Sequence, residues 1–170
     1  STTAMLILGD ALAMDLLEAR GFREEDFARY HPGGRLGRTL LLKVPQIMRT
    51  GDQLAILPPT ATVRQVLHRM AKCRSGSALL THEDGTLAGI FTHGDFGRHF
   101  EAVSDLLEQP VERFMTRDPI TIPSDKLAVE VLRVLEEHRI DDIVVVDATC
   151  ERPVPVGLVD TQDLAKFRLV

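Results

Sequence analysis

The sequence predicts an α/β (α+β) protein: two tandem repeats, each running helix, strand, strand, helix, packed around a pseudo-twofold axis and preceded by a short helical segment. Three observations lead there. The 170 residues are 44% apolar and 26% charged, enough for one substantial core and not compositionally disordered. Apolar residues fall alternately at helical spacing and in short continuous runs. Two junctions align almost residue for residue, Gly89-Ile90-Phe91-Thr92-His93-Gly94-Asp95-Phe96 beside Gly157-Leu158-Val159-Asp160-Thr161-Gln162-Asp163-Leu164. Each reads as a strand, a tight step and a helix start. Neither unit alone covers both sides of a small sheet, so the two are expected to pack face to face as one compact domain.

In chain order, Met5, Leu8, Leu12 and Leu16 recur at helical spacing, with Thr2 or Thr3 as the cap and Gly21 as the stop. A second short helix is expected over Glu24 to Tyr30. His31-Pro32-Gly33-Gly34 then breaks the pattern, because proline restricts the residue before it and paired glycines favour a turn. Another short helix is expected over Arg35 to Lys43. In the first repeat, Ile47-Met48 leads through a loop with Pro58 and Pro59 to a helix that presents Val63, Val66, Leu67 and Met70 on one face. The strand Ser77 to Thr81, the turn His82 to Gly85, the strand Leu87 to Thr92 and a helix near Gly94 follow. The second repeat has Phe114-Met115, Pro119 and Pro123, then a helix with Leu127, Val131, Leu132 and Leu135. After it come strands Asp142 to Val146 and Val154 to Val159, and a closing helix near Asp163. The expected boundaries are 1–43 for the leading segment, 44–108 for the first repeat and 109–170 for the second.

The formal charge of -5 argues against a general electrostatic grip on nucleic acid or anionic lipid, so any anion is bound locally. Cys73 and Cys150 stand far apart without a CxxC partner, which indicates neither a disulfide framework nor a thiolate metal site and suits a reducing cytoplasm. No apolar run approaches the ~20 residues that span a bilayer. The opening stretch carries acidic residues within a helical pattern rather than a basic region and cleavage site, and is expected to be a mid-protein helix. Six histidines are scattered without HxH or HExxH spacing, so no metal site is expected. Met48, Met70 and Met115 read as core filler, and Glu136-Glu137-His138-Arg139 as a solvated helix end.

The pattern Gly-apolar-apolar-Thr-x-x-Asp closing a helix-strand-strand unit, repeated once, resembles the CBS pair (Bateman module) over about three-quarters of the chain. The stretch in front narrows the resemblance. Gly9-Asp10-Ala11-Leu12-Ala13, Ala19-Arg20-Gly21-Phe22 and His31-Pro32-Gly33-Gly34-x-Leu36-Gly37-Arg38 are similar to the end of the sugar-isomerase (SIS) domain of arabinose-5-phosphate isomerases of the KpsF/GutQ type. Ile47-Met48-Arg49-Thr50-Gly51-Asp52 and Leu127-Ala128-Val129-Glu130 also fit that family. The resemblance implies a regulatory CBS pair of an enzyme that interconverts ribulose 5-phosphate and arabinose 5-phosphate toward the lipopolysaccharide sugar Kdo. It implies a dimer of CBS pairs and a tetrameric intact enzyme. Most of the SIS domain is missing, so the fragment alone is expected to be inactive.

Aldose-ketose isomerisation uses a group that exchanges protons near neutral pH. By the resemblance, His31 belongs to the isomerase active site of the intact enzyme; read from the residues alone, it is a turn histidine bonded to backbone. In the CBS cleft, a carboxylate accepts from ribose hydroxyls, and a threonine hydroxyl at a helix start donates to phosphate. Thr92 and Asp95 are placed for that, with His93 beside them. Gly94 admits close backbone approach and Arg98, one turn on, pairs with an anion. Thr92-x-x-Asp95 also has the spacing of a capping box that needs no ligand. Ser77, Ala78, Met48 and Thr50 are expected to wall the base. Asp160 stands where the first repeat has Thr92, so Asp160 and Asp163 make a weaker second site that repels phosphate. No cofactor is required; the candidate ligands are CMP-Kdo and AMP or another nucleotide. The alternative is an oligomerisation module without a ligand.

Overall fold

The structure, a computed structural model, describes residues 1–22, 26 and 42–167, which fall into two compact units, Ser1–Leu41 and Leu42–Val170. In the first unit, α1 (Thr2–Ala19) has Ser1 at its N-cap, so Thr2 and Thr3 lie inside the first turn instead of capping it. Gly21, at φ +59, leaves the helix in the left-handed region that glycine adopts without steric cost. Met5, Leu6, Ile7 and Leu8 are consecutive and exposed, so α1 is apolar on every face rather than amphipathic. His31 and the expected helices over 24–30 and 35–43 lie almost wholly outside the described residues. Lys43, at the far edge of the second, is extended and not helical.

The second unit holds two three-stranded sheets of the same design. In the first, β1 (Ile56–Leu57) pairs parallel with β2 (Ser77–Thr81), which pairs antiparallel with β3 (Leu87–Thr92). In the second, β4 (Thr121–Pro123), β5 (Asp142–Val146) and β6 (Pro155–Asp160) repeat that order. Helices α2 (Val63–Cys73) and α3 (His93–Phe100) belong to the first repeat, α4 (Ala128–His138) and α5 (Thr161–Lys166) to the second. The short strands β1 and β4 carry too few residues for an alternation to show in the sequence.

Both faces of each sheet are covered, which explains why the strands read as apolar runs. Ala78, Leu80 and Phe91 point toward the helices of their own repeat, in a core with Val63, Val66 and Met70 of α2. Ile143, Val145 and Val159 do the same against Val131 and Leu135 of α4. The alternate residues, Leu79 and Ile90 on one sheet and Val144, Val146 and Leu158 on the other, meet in a third cluster between the sheets. Each buried Val, Leu, Ile, Met or Phe side chain contributes about 1.5–3 kcal/mol.

The repeats also exchange their leading segments. Val44 and Ile47 pack in the core of the second sheet, and Val111 in that of the first. Arg49 bridges Leu158 on β6, and Thr116 bridges Ile90 on β3. The exchange requires glycine on the receiving strand. A Cβ at Gly89 would sit 2.6 Å from the Thr116 carbonyl oxygen, and one at Gly157 would sit 2.5 Å from Met48 Sδ and 3.0 Å from the Arg49 carbonyl oxygen. The two glycines of the aligned junctions are therefore there for close backbone approach.

Candidate ligand-binding cleft

Period-2 alternation decides where the polar residues of the sheets go. Ser77 shares a face with Leu79, and Asp142 with Val144, so both lie on the inner faces at the strand ends; their register partners are Thr92 and Asp160. At this end the sheets part around a cleft of about 970 Å³.

Its first half is built by the step from β3 into α3. Thr92 Oγ1 accepts the Asp95 amide at 3.1 Å, while Asp95 Oδ2 accepts the Thr92 amide at 2.8 Å and the Thr92 hydroxyl at 2.9 Å. This is the capping box that the spacing allowed. Asp95 is 3% exposed, and its other oxygen accepts from Arg98 and, at 3.5 Å, from the Thr116 hydroxyl. Arg98 itself is 65% exposed and held by that single carboxylate, so its guanidinium can swing to a ligand.

The second half is built by the step from β6 into α5, with different chemistry. Asp160 Oδ1 accepts the Asp163 amide at 2.8 Å, and its other oxygen takes Arg49 Nη2 at 2.6 Å. Arg49 Nε donates to Asp163, and its Nη1 donates to the Arg74 carbonyl oxygen at 2.6 Å. Lys166, the counterpart of Arg98, completes the cluster at 2.5 Å from Asp163. The Asp163 hydrogen bond holds the Arg49 proton more tightly than usual despite burial. Burial pushes Asp163 the other way, but its hydrogen bonds from Arg49 and Lys166 leave it below the ordinary carboxylate range.

Asp142 is pushed up to about 6, first by burial and then by the neighbouring Asp160 and Asp141 carboxylates; the Ser77 hydroxyl and Arg49 pull it partly back. Ser77 Oγ and Asp142 Oδ1 are both buried, and among the described residues neither meets a partner in good hydrogen-bond geometry. The Ser77 hydroxyl thus acts on Asp142 by proximity.

Two further arginines reach the cleft from the helix ends. Arg74 terminates α2 and Arg139 terminates α4, both in the left-handed region at φ 51 and φ 52. Glycine is the usual residue there, and a side chain in that conformation costs about 1–2 kcal/mol. Both line the cleft, and neither has an ion-pair partner among the described residues.

Of the residues singled out in the sequence, Thr92, His93, Gly94, Asp95, Arg98 and Asp160 line the cleft. Ser77, Ala78, Met48, Thr50 and Asp163 are not in its lining. Ala78 faces the α2 core, and Met48 packs toward Gly157. Sequence reasoning reached the Met48 to Thr50 segment without singling out Arg49, and missed Arg74 and Arg139. Arg49 had a legible signal: aligning Ile47-Met48-Arg49 with Phe114-Met115-Thr116 puts Arg49 opposite Thr116. Among the described residues, no group of three His, Cys, Asp or Glu is arranged to hold a metal, and no helix is long and apolar enough to cross a membrane.

Two sheets related by a pseudo-twofold axis, with exchanged leading segments and a polar cleft at the strand ends, define a tandem ligand-binding module. Residues 44–101 and 111–169 match the CBS domain model, and the chain belongs to that family as a CBS pair. It is 41% identical over 169 residues to the arabinose 5-phosphate isomerase KdsD of Francisella tularensis, which covers 99% of this chain and 50% of the relative. It is 42% identical over 166 residues to KdsD of Pseudomonas aeruginosa, covering 98% of this chain and 50% of the relative. The chain thus spans about half the length of these curated relatives. Among solved structures it is similar to the CBS domain protein PAE2072 from Pyrobaculum aerophilum complexed with AMP, with TM-score 0.62, 26% identity, and coverage of 72% of this chain and 90% of that one. The CBS pair of MJ0100 in complex with 5′-methylthioadenosine and S-adenosyl-L-methionine shares the fold at TM-score 0.65 and 21% identity, covering 74% and 94%.

Proposed function

We propose that the cleft binds a nucleotide-containing metabolite and that, in the intact protein, this regulates an arabinose-5-phosphate isomerase toward Kdo and lipopolysaccharide synthesis. The observation that carries the reading is the pair Arg74 and Arg139, equivalent in the two repeats, without an ion-pair partner among the described residues, and held at a conformational cost where both line the cleft. Unpaired guanidinium groups at a cleft wall suit a phosphate or carboxylate, and residues in unfavourable backbone conformations cluster at ligand sites. The AMP complex of PAE2072 supports a nucleotide ligand, and the similarity to KdsD supports the enzyme to which the module belongs.

CMP-Kdo is the ligand of choice. It carries a ribose, a phosphate and a sugar carboxylate, which suit the Asp95 end, the Thr92 to Gly94 step, and the arginines; AMP is the nearest rival. Residues 1–43 are then the end of the isomerase domain, where His31 serves the intact active site, with repeats over 44–108 and 109–170. The fragment alone is inactive, pairs as a homodimer, and works in the cytoplasm within a tetramer.

Calorimetric titration with CMP-Kdo, AMP and CMP tests this. Saturable CMP-Kdo binding with weak AMP makes the module an end-product sensor. Tight AMP with silent CMP-Kdo moves it to adenine sensing, and no binding to any of the three leaves an oligomerisation module.

A further inference from the structure

The two halves of the cleft share a backbone but differ in two linked positions. Thr92 and Thr116 in the first half correspond to Asp160 and Arg49 in the second, through the aligned junctions and the matching bridges Ile90 to Thr116 and Leu158 to Arg49. A neutral pair has been replaced by an ion pair. In the first half the cation at the step is Arg98, exposed and held by Asp95 alone among the described residues. In the second, Arg49 is 13% exposed and held at Asp160, Asp163 and the Arg74 carbonyl.

We propose that Asp160 is a resident anion: with Arg49 as its counter-ion, it supplies from within the chain the negative charge that a ligand brings to the first half, so that each cleft takes one nucleotide. The inference rests on the reading of the cleft as a nucleotide site. Three features support it. Asp160 is a lining residue, so its carboxylate repels a phosphate arriving there. Both of its oxygens are already satisfied, one by the Asp163 amide and one by Arg49. Four of the five N–H donors of Arg49 are engaged by Asp160, Asp163 and the Arg74 carbonyl, so a two-pronged grip on an arriving anion requires Asp160 to release it.

It follows that removing the Asp160 charge leaves Asp163 as the remaining ion-pair partner of Arg49 and frees an Nη2 donor at the cleft for an arriving anion. Asp160→Thr keeps an oxygen to cap α5, as Thr92 does for α3, and removes the charge. Titration of the whole chain with AMP should show one more equivalent bound per chain than the parent protein. Inorganic phosphate should raise the melting temperature of Asp160→Thr by more than it raises that of the parent. Adding Arg49→Thr to Asp160→Thr should abolish both gains. An Asp160→Thr protein that melts cooperatively yet gains neither AMP nor phosphate binding overturns the inference, as does a parent that already binds two equivalents. If Asp160→Thr does not fold, Asp160→Asn makes the same charge change in the same shape and is read identically. A parent that binds no nucleotide defeats the functional reading alone, because the inference is read from the difference between variant and parent.

Discussion

Arg49 Nη2 lies 2.6 Å from Asp160 Oδ2 across 111 residues of sequence, and the two side chains are only 13% and 11% exposed. The bond ties the leading segment of the first repeat to the strand-helix step of the second, beside an antiparallel bridge in which the Arg49 amide donates to the Leu158 carbonyl at 2.8 Å. Arg49→Ala leaves Asp160 without a cation and Asp163 with Lys166 alone, both largely withdrawn from water, so a loss of about 3 kcal/mol is expected. The surface pair Arg64–Glu108, with side chains 61% and 63% exposed, is the control: Arg64→Ala should cost about 0.5 kcal/mol. Urea midpoints of the two variants check the contrast, and equal losses would remove the structural role given to Arg49.

The exchanged segments predict that the two equivalent glycines do not tolerate alanine equally. At Gly89 the added methyl meets a backbone carbonyl at 2.6 Å, which moves only if the strand moves. At Gly157 the shortest approach is to the Met48 sulfur at 2.5 Å, the end of a flexible side chain, with the carbonyl behind it at 3.0 Å. Gly89→Ala should therefore lose about 3 kcal/mol and Gly157→Ala about 1 kcal/mol. Thermal unfolding of each variant measures the difference.

Much of this architecture is legible in the sequence, because its main determinants are local. The αβ repeat, the helices around Val66 and Val131 and the strands around Leu79 and Val144 follow from periodicity, and Thr92-x-x-Asp95 states its own cap. What was not legible depends on contacts between distant residues. That Val44 belongs to the second core and Val111 to the first is a matter of chain exchange, to which spacing is blind. Arg74 and Arg139 look like ordinary polar helix ends, and nothing local in the sequence says that both line one cleft. Asp160 reads correctly as a departure from Thr92, but its meaning depends on Arg49, which stands outside the aligned junction.

Asp142 makes stability depend on pH in a definite direction. Its carboxyl is raised from 3.8 to about 6 in the folded chain, chiefly by burial. The unfolded chain ionises first, so folding weakens as pH climbs from about 4 to about 6 and levels off above. Between pH 5 and pH 7 the contribution is about 1 kcal/mol, from the single pH unit below the folded value. Asp163, held below the ordinary range, acts in the opposite sense, and its stabilisation is lost only as pH falls through the acid region. Comparing urea midpoints of the parent and Asp142→Asn at pH 5 and pH 7 isolates the effect. The parent should lose stability over this interval relative to the variant, and parallel behaviour would place Asp142 in water.

Ligand contacts and fold contacts separate within the first half of the cleft, which governs how binding variants must be read. Asp95 is buried, completes the cap of α3, and accepts from Thr92 and Arg98. Its removal takes away the reciprocal half of a capping box worth about 1 kcal/mol and leaves the half-buried Thr92 amide and hydroxyl without their acceptor, so weak binding by Asp95→Ala would report damage to the fold as much as loss of a contact. Arg98 is the cleaner probe. It is 65% exposed and tied to one carboxylate, so Arg98→Ala should shift stability by no more than about 0.5 kcal/mol. If its guanidinium meets the ligand's anionic group, a charge-assisted contact of about 1.5 kcal/mol is lost and nucleotide affinity falls about tenfold. Calorimetry on Arg98→Ala, alongside its melting curve, separates the cases. A tenfold weaker affinity at unchanged melting temperature assigns Arg98 to the ligand, while unchanged affinity leaves anion binding to Arg74 and Arg139 across the cleft.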